Sequence, residues 1–214
     1  KALMALYKRM PYKRRYSKRR SAGLNKTQKR QVRQIAYQEG EQKWQAHAWS
    51  ATAIDDTTGL NKILYDIDQG TGPGDRIGAE VNVDRFVWQG SITFPDSTNV
   101  VRCILAAFPS NTTNTLLSYC ASVYQETDWA DNGVKVFRDF LITGGANGPT
   151  SKIIKLNVPF KRRGRKGMKI TYDDALGTNV SMGSNRLCLF FISDSAAVSH
   201  PLILGHGRLY YHDN

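Results

Sequence analysis

An all-β fold is what this sequence predicts: one eight-stranded sandwich of jelly-roll type, carrying a basic N-terminal arm. Three observations predict it. Beyond residue 41, apolar and polar residues alternate with period two in run after run. Stretches rich in glycine, proline and asparagine separate these runs at uneven spacing. Charge is segregated as well: all 18 acidic residues lie at or beyond Glu39, whereas 13 of the 30 basic residues precede it. The other 17 basic residues nearly balance the acids, so the chain from Glu39 onward, of net charge −1, is joined to a polycation. A chain of 214 residues suits one such domain with an appendage, the arm over residues 1–40 and the body over 41–214.

Residues 1–24 are basic and tyrosine-rich, with Pro11 and Gly23 as breakers. A segment of this kind repels itself, cannot bury a core and is expected to be disordered when free. Residues 25–39 read as helical, with Asn25 as cap, good helix formers from Lys26 to Glu39 and Gly40 as terminator. Val32, Ile35 and Ala36 make a narrow apolar stripe. It fits either an amphipathic helix on the inner face of a shell or a solvated linker.

From Glu41 the period changes. Trp44, Ala46 and Ala48 share one face, Gln45 and His47 the other. Ile77, Ala79, Val81 and Val83 alternate with polar partners; Phe86, Trp88, Gly90, Ile92 and Phe94 then alternate in the opposite phase. A one-residue slip inside a long strand predicts a bulge near Asp84 and Arg85. Residues 100–108 form an apolar run with one charge, Arg102, and 134–142 follow a turn signal at Asp131, Asn132 and Gly133. Residues 116–124 fit a short helix. Ile154, Leu156, Val158 and Phe160 alternate cleanly, as do Met168, Ile170 and Tyr172. Residues 187–192 are apolar on both faces, which suits a central strand, and 202–211 close the chain. The even count of eight favours a jelly roll over a seven-stranded immunoglobulin-like domain, and the long loops disfavour an up-and-down barrel.

The arm carries the strongest chemical signal. Lys8, Arg9, Lys13, Arg14, Arg15, Lys18, Arg19 and Arg20 form a dense cluster, followed by Lys26, Lys29, Arg30 and Arg33. Guanidinium groups match phosphate oxygens in forked geometry, and Tyr7, Tyr12 and Tyr16 are candidates for stacking on unpaired bases. Binding by such a segment follows charge and salt rather than base sequence. The same residues would serve as a nuclear-localisation signal read by an import receptor. A second cluster, Lys161, Arg162, Arg163, Arg165 and Lys166, sits in a glycine-flanked loop. It fits phosphate contacts, a face toward another subunit, or simple solvation.

Other functions find little support. Cys103, Cys120 and Cys188 have an odd count and no paired spacing, and each lies in an apolar stretch, so buried free thiols are expected. No apolar run is long enough to span a membrane, and the arm lacks the apolar face of an interfacial helix. The start is too briefly apolar for a signal peptide. Met10 is a candidate start codon product, with residues 1–9 then foreign to the native chain. His47, His200, His206 and His212 show no metal-ligand spacing. The acidic pairs Asp55/Asp56 and Asp173/Asp174, with Asp66 and Asp68, fit turn or surface roles better than a calcium loop. No catalytic, P-loop or dinucleotide motif is present. No cofactor, metal or enzymatic activity is expected.

The stretch Met10-Pro-Tyr-Lys-Arg-Arg-Tyr-Ser-Lys-Arg-Arg20 resembles the arginine-rich arm of capsid proteins from small circular single-stranded DNA viruses, the circovirus-like group, although it is shorter and less arginine-pure. The stretch from Gly70 through Arg76 to Gly78 is similar to the pattern that opens an early core strand in such capsids. Val100-Val-Arg102-Cys-Ile-Leu-Ala resembles the strand that follows, and Gly207-Arg-Leu-Tyr-Tyr-His-Asp213 resembles their last one. Satellite and tombusvirus-like coat proteins share the plan. The resemblance implies a single jelly roll of two four-stranded sheets, assembling with itself into an icosahedral shell of about sixty copies. The arms would point inward on a single-stranded genome, DNA in preference to RNA. Such arms would carry about 780 charges, matching a genome on the order of a thousand nucleotides. It also implies residence in the virion and, during infection, in the host nucleus. Two rivals remain open: a cellular nucleic-acid-binding β-protein, and a cupin-type enzyme, against which the sparse histidines count.

Overall fold

The computed structural model describes residues 25–29, 31–32, 41–57, 59–109, 120, 122–126, 129–145, 150–161, 167–172, 182–196 and 199–213. Residues 26–29 and 31–32 are helical, and all of them are exposed. The expected cap is in place and reciprocal: Asn25 Oδ1 accepts from the Gln28 amide at 2.8 Å, while Gln28 Oε1 accepts from the Asn25 amide at 3.0 Å.

Ten strands follow: β1 (Gln42–Ala53), β2 (Leu60–Ile63), β3 (Glu80–Phe94), β4 (Val100–Phe108), β5 (Lys135–Thr143), β6 (Thr150–Pro159), β7 (Met168–Tyr172), β8 (Met182–Ser184), β9 (Arg186–Ser193) and β10 (Leu202–Asp213). They build two antiparallel sheets. One runs β1-β10-β3-β7-β8, with β6 also paired to β3; the other runs β2-β9-β4-β5. The all-β expectation holds, with ten strands among the described residues in place of eight. The two additions are β2 and β8, of four and three residues, too short for alternation to register. Of the short helix expected at 116–124, only Cys120 and residues 122–124 are described, and those three form a bend and turn.

The slip predicted in β3 is a bulge at Asp84. Tyr210 pairs with Arg85 and Tyr211 with Val83, so Asp84 is the extra residue. It lets Val81 and Val83 on one side of the slip, and Phe86, Trp88, Ile92 and Phe94 on the other, all enter the core. β6 pairs with β3 from Arg85 onward and β7 from Val83 backward. The interruption between β6 and β7 therefore falls opposite the bulge.

The sheets face one another across a single core. Trp88 of β3 meets Phe191 of β9 at 5.6 Å between ring centroids, and Trp49 of β1 packs edge-on to Trp88 at 5.9 Å. The Trp88 ring lies along the sheet over two glycines paired across strands, Gly90 and Gly205. A Cβ at Gly90 would stand 2.4 Å from the ring, and one at Gly205 2.8 Å. β4 and β9 are buried nearly throughout, as their apolar sequences predict.

In β1 the alternation has the opposite polarity to a simple apolar-in rule. Lys43, His47 and Trp49 are buried, and Trp44, Ala46 and Ala48 are exposed. What distinguishes the two faces is the partner rather than apolar area: Trp49 meets Trp88 edge-on in the core, whereas Trp44 on the opposite face is left half exposed. Lys43 tolerates the inner face because Asp213 Oδ2 lies 2.9 Å from its Nζ and the Asp75 carbonyl accepts from it at 2.7 Å.

Candidate nucleic-acid interface

Of the basic residues predicted to bind phosphate, the described set contains Lys26, Lys29 and Lys161. Lys26 and Lys29 stand on the exposed, capped helical turn. Lys8, Arg9, Lys13, Arg14, Arg15, Lys18, Arg19, Arg20, Arg30 and Arg33 lie outside the described residues, as do Tyr7, Tyr12 and Tyr16 and the loop residues Arg162, Arg163, Arg165 and Lys166.

The root of the second basic loop is well defined. The amides of Phe160 and Lys161 both donate to the Asp84 carbonyl, at 2.8 and 3.0 Å. The chain returns at Gly167, where a Cβ would stand 2.0 Å from the Val83 carbonyl oxygen. Only glycine allows that approach. The loop thus leaves and re-enters the sheet at the bulge. There the buried Asp84 carboxylate sits 2.9 Å from His212 Nε2, accepts from Gln42 Nε2 at 3.1 Å and lies 4.0 Å from Lys161 Nζ. Lys161 therefore spends part of its field on Asp84.

The structure adds a group of residues absent from the sequence reading. On the outward face of the six-stranded sheet, the Arg208 guanidinium lies over the Trp44 ring at 4.6 Å, and that of Arg85 over Tyr210 at 4.2 Å. Trp44 is 45% exposed, and both arginines are exposed. The register aligns Trp44 with Tyr210 and Tyr210 with Arg85, so the two stacks adjoin across β1, β10 and β3. One sequence signal hinted at this: in β10 the large polar residues His206, Arg208 and Tyr210 alternate with Gly205 and Gly207. Glycines on the inner face leave the outer one to carry the side chains.

Other singled-out residues are structural. Arg76 is fully buried; it stacks over Tyr172 at 4.0 Å and donates to the carbonyls of Ile67 and Gly78 at 3.1 and 2.7 Å. The glycine-rich stretch before it folds back on itself, the Gly70 amide donating to the Arg76 carbonyl at 3.0 Å and the Gly72 amide to Asp75 Oδ2 at 2.9 Å. Burial pushes the Tyr172 phenol well above its ordinary value, and its hydroxyl donates to the Tyr65 carbonyl at 2.9 Å. Arg102 forks onto Asp139 at 2.8 and 2.7 Å and also donates to the carbonyls of Val123 and Gln125. Cys103, Cys120 and Cys188 are buried free thiols, as expected. Asp55 serves a turn, accepting from the Gly59 amide at 2.8 Å. Asp173 and Asp174 lie outside the described residues. Among the described residues no cluster of three His, Cys, Asp or Glu side chains could hold a metal ion, and no helix is long and apolar enough to cross a membrane.

No protein-family model matches the chain, and no curated protein does. Among solved structures, the chain aligns with one of infectious bursal disease virus Gx strain at 7% identity and a TM-score of 0.24, over 80% of this chain and 41% of that one. It aligns with the T13 IBDV viral particle at 8% identity and a TM-score of 0.22, over 82% of this chain and 40% of that one. The chain spans about two fifths of the length of those proteins, and at these scores the alignments establish no shared fold.

Proposed function

We propose that this protein is a viral capsid protein that self-assembles into a small icosahedral shell and packages single-stranded nucleic acid, DNA in preference to RNA, through its basic arm. The observation that carries the reading is the segregation of charge: 13 basic residues precede the first acid, Glu39, and from there onward the net charge is only −1. A polycation tethered to a near-neutral β-body binds phosphate at one end, while its bodies approach one another without strong repulsion. Its role is structural, not catalytic. The arm's cluster also suits nuclear import of the newly made subunit, with the virion as final location.

Strand order supports a jelly roll. β6 and β7 occupy one position end to end along β3, and β8 is a short addition beyond β7. Eight positions remain, four in each sheet: β1-β10-β3-β6/β7 and β2-β9-β4-β5. First and last strands lie side by side, and successive strands alternate between sheets early in the chain. This order is what the wrapping of a double Greek key requires, and it supports that reading.

The test is expression of the full chain and of a chain lacking residues 1–36. Closed particles containing nucleic acid are expected from the first under electron microscopy. A body with unchanged circular dichroism but no packaged nucleic acid is expected from the second. Monomers across all assembly buffers would favour the cellular nucleic-acid-binding alternative, and unchanged nucleic-acid content after deletion would overturn the role of the arm.

A further inference from the structure

We propose that the outward face of the six-stranded sheet is a second nucleic-acid site, on which unpaired bases stack against Trp44 and Tyr210 while Arg85 and Arg208 hold the neighbouring phosphates. The inference rests on the packaging function above and places part of the contact on the body, apart from the arm. Two arginine–aromatic stacks lie side by side there, at 4.2 and 4.6 Å. A guanidinium held flat on a ring keeps its N–H edge for a phosphate and loses less freedom on binding.

Charge selects the occupant. Neither Arg85 nor Arg208 forms an ion pair among the described residues. The two carboxylates that the strands carry on this side are already engaged, Asp84 by His212 and Gln42, and Glu80 by Lys169. One row further along, Ala48, His206, Gln89 and Lys155 align across β1, β10, β3 and β6. That row adds an exposed cation and hydrogen-bonding groups, again without an acid. A positive, aromatic face repels the arm of its own chain and suits a polyanion with exposed π-faces. Bases in a duplex are stacked on one another, so the fit is to a single strand.

The experiment uses unassembled full-length protein and a 20-nucleotide oligo(dT) carrying photoreactive bromouracil, with a blunt duplex of equal length as control. Cross-links mapped by mass spectrometry should fall on Trp44 or Tyr210 with the single strand and not with the duplex. At about 0.3 M salt, where phosphate contacts of the arm weaken, Trp44→Ala and Arg208→Gln should each reduce single-strand affinity about tenfold. Trp44→Phe should restore most of it, and circular dichroism should match throughout. Cross-links confined to residues 1–40, with unchanged affinity of the variants, would overturn this site and leave the arm's role standing. Absence of any oligonucleotide binding would remove both. Variants that alter only self-association, with cross-linking intact on the arm alone, would assign the face to a second copy of the chain and overturn the proposal.

Discussion

His47 shows how a single residue ties this fold to pH. It points into the core from β1, and burial first, then the nearby Lys62, hold its pKa down at about 4. In the unfolded chain the same imidazole titrates at its ordinary value near 6.5. Between those limits the unfolded chain binds a proton that the native one does not, so stability falls as pH drops from 6.5 toward 4 and is untouched above 6.5. The loss is on the order of 3 kcal/mol at the acid end. Urea unfolding at pH 7 and pH 4.5 should show this loss in the native sequence and a flatter profile in His47→Leu. Equal losses in both would place the acid sensitivity elsewhere.

Single elements are held by few polar anchors, and Arg102 is the clearest. It is the one charge in an otherwise apolar strand, and it leaves β4 on the side away from the core to pin Cys120, Val123 and Gln125 over the four-stranded sheet. Its partner Asp139 lies on the adjacent β5, which keeps the guanidinium charged and its pKa raised. Arg102→Met leaves a carboxylate and two carbonyls without their donor, and should cost about 2–3 kcal/mol. Limited proteolysis should then cut first within 122–126, while the strands stay protected. Cleavage at an unchanged rate would mean that the segment is held by its apolar contacts alone.

The whole molecule behaves as two electrostatic bodies. If the proposed capsid role holds, free subunits should repel through their arms at low ionic strength, and a single-stranded polyanion should relieve that repulsion. Light scattering should therefore show assembly at low salt only with oligonucleotide present, at high salt without it, and at both salt levels for a chain lacking residues 1–36. Assembly of the full chain at low salt with no polyanion would contradict this account.

The sequence by itself determined the strand-rich body, the bulge at Asp84, the buried runs of β4 and β9, and the polarity of charge along the chain. Each is a local property: a period, a slip in a period, a run, a count. It could not say which face of β1 turns inward, because alternation is symmetric until a partner is chosen, and Trp49 meeting Trp88 chooses it. Nor could it show the purpose of Arg76, whose hydrogen bonds and ring stack come from segments remote in the chain. Arg85 and Arg208 reach Tyr210 and Trp44 only through the pairing of β1, β10 and β3. Register between distant strands is set by the packed core as a whole, and so the aromatic, cationic face of the sheet exists only in the tertiary structure.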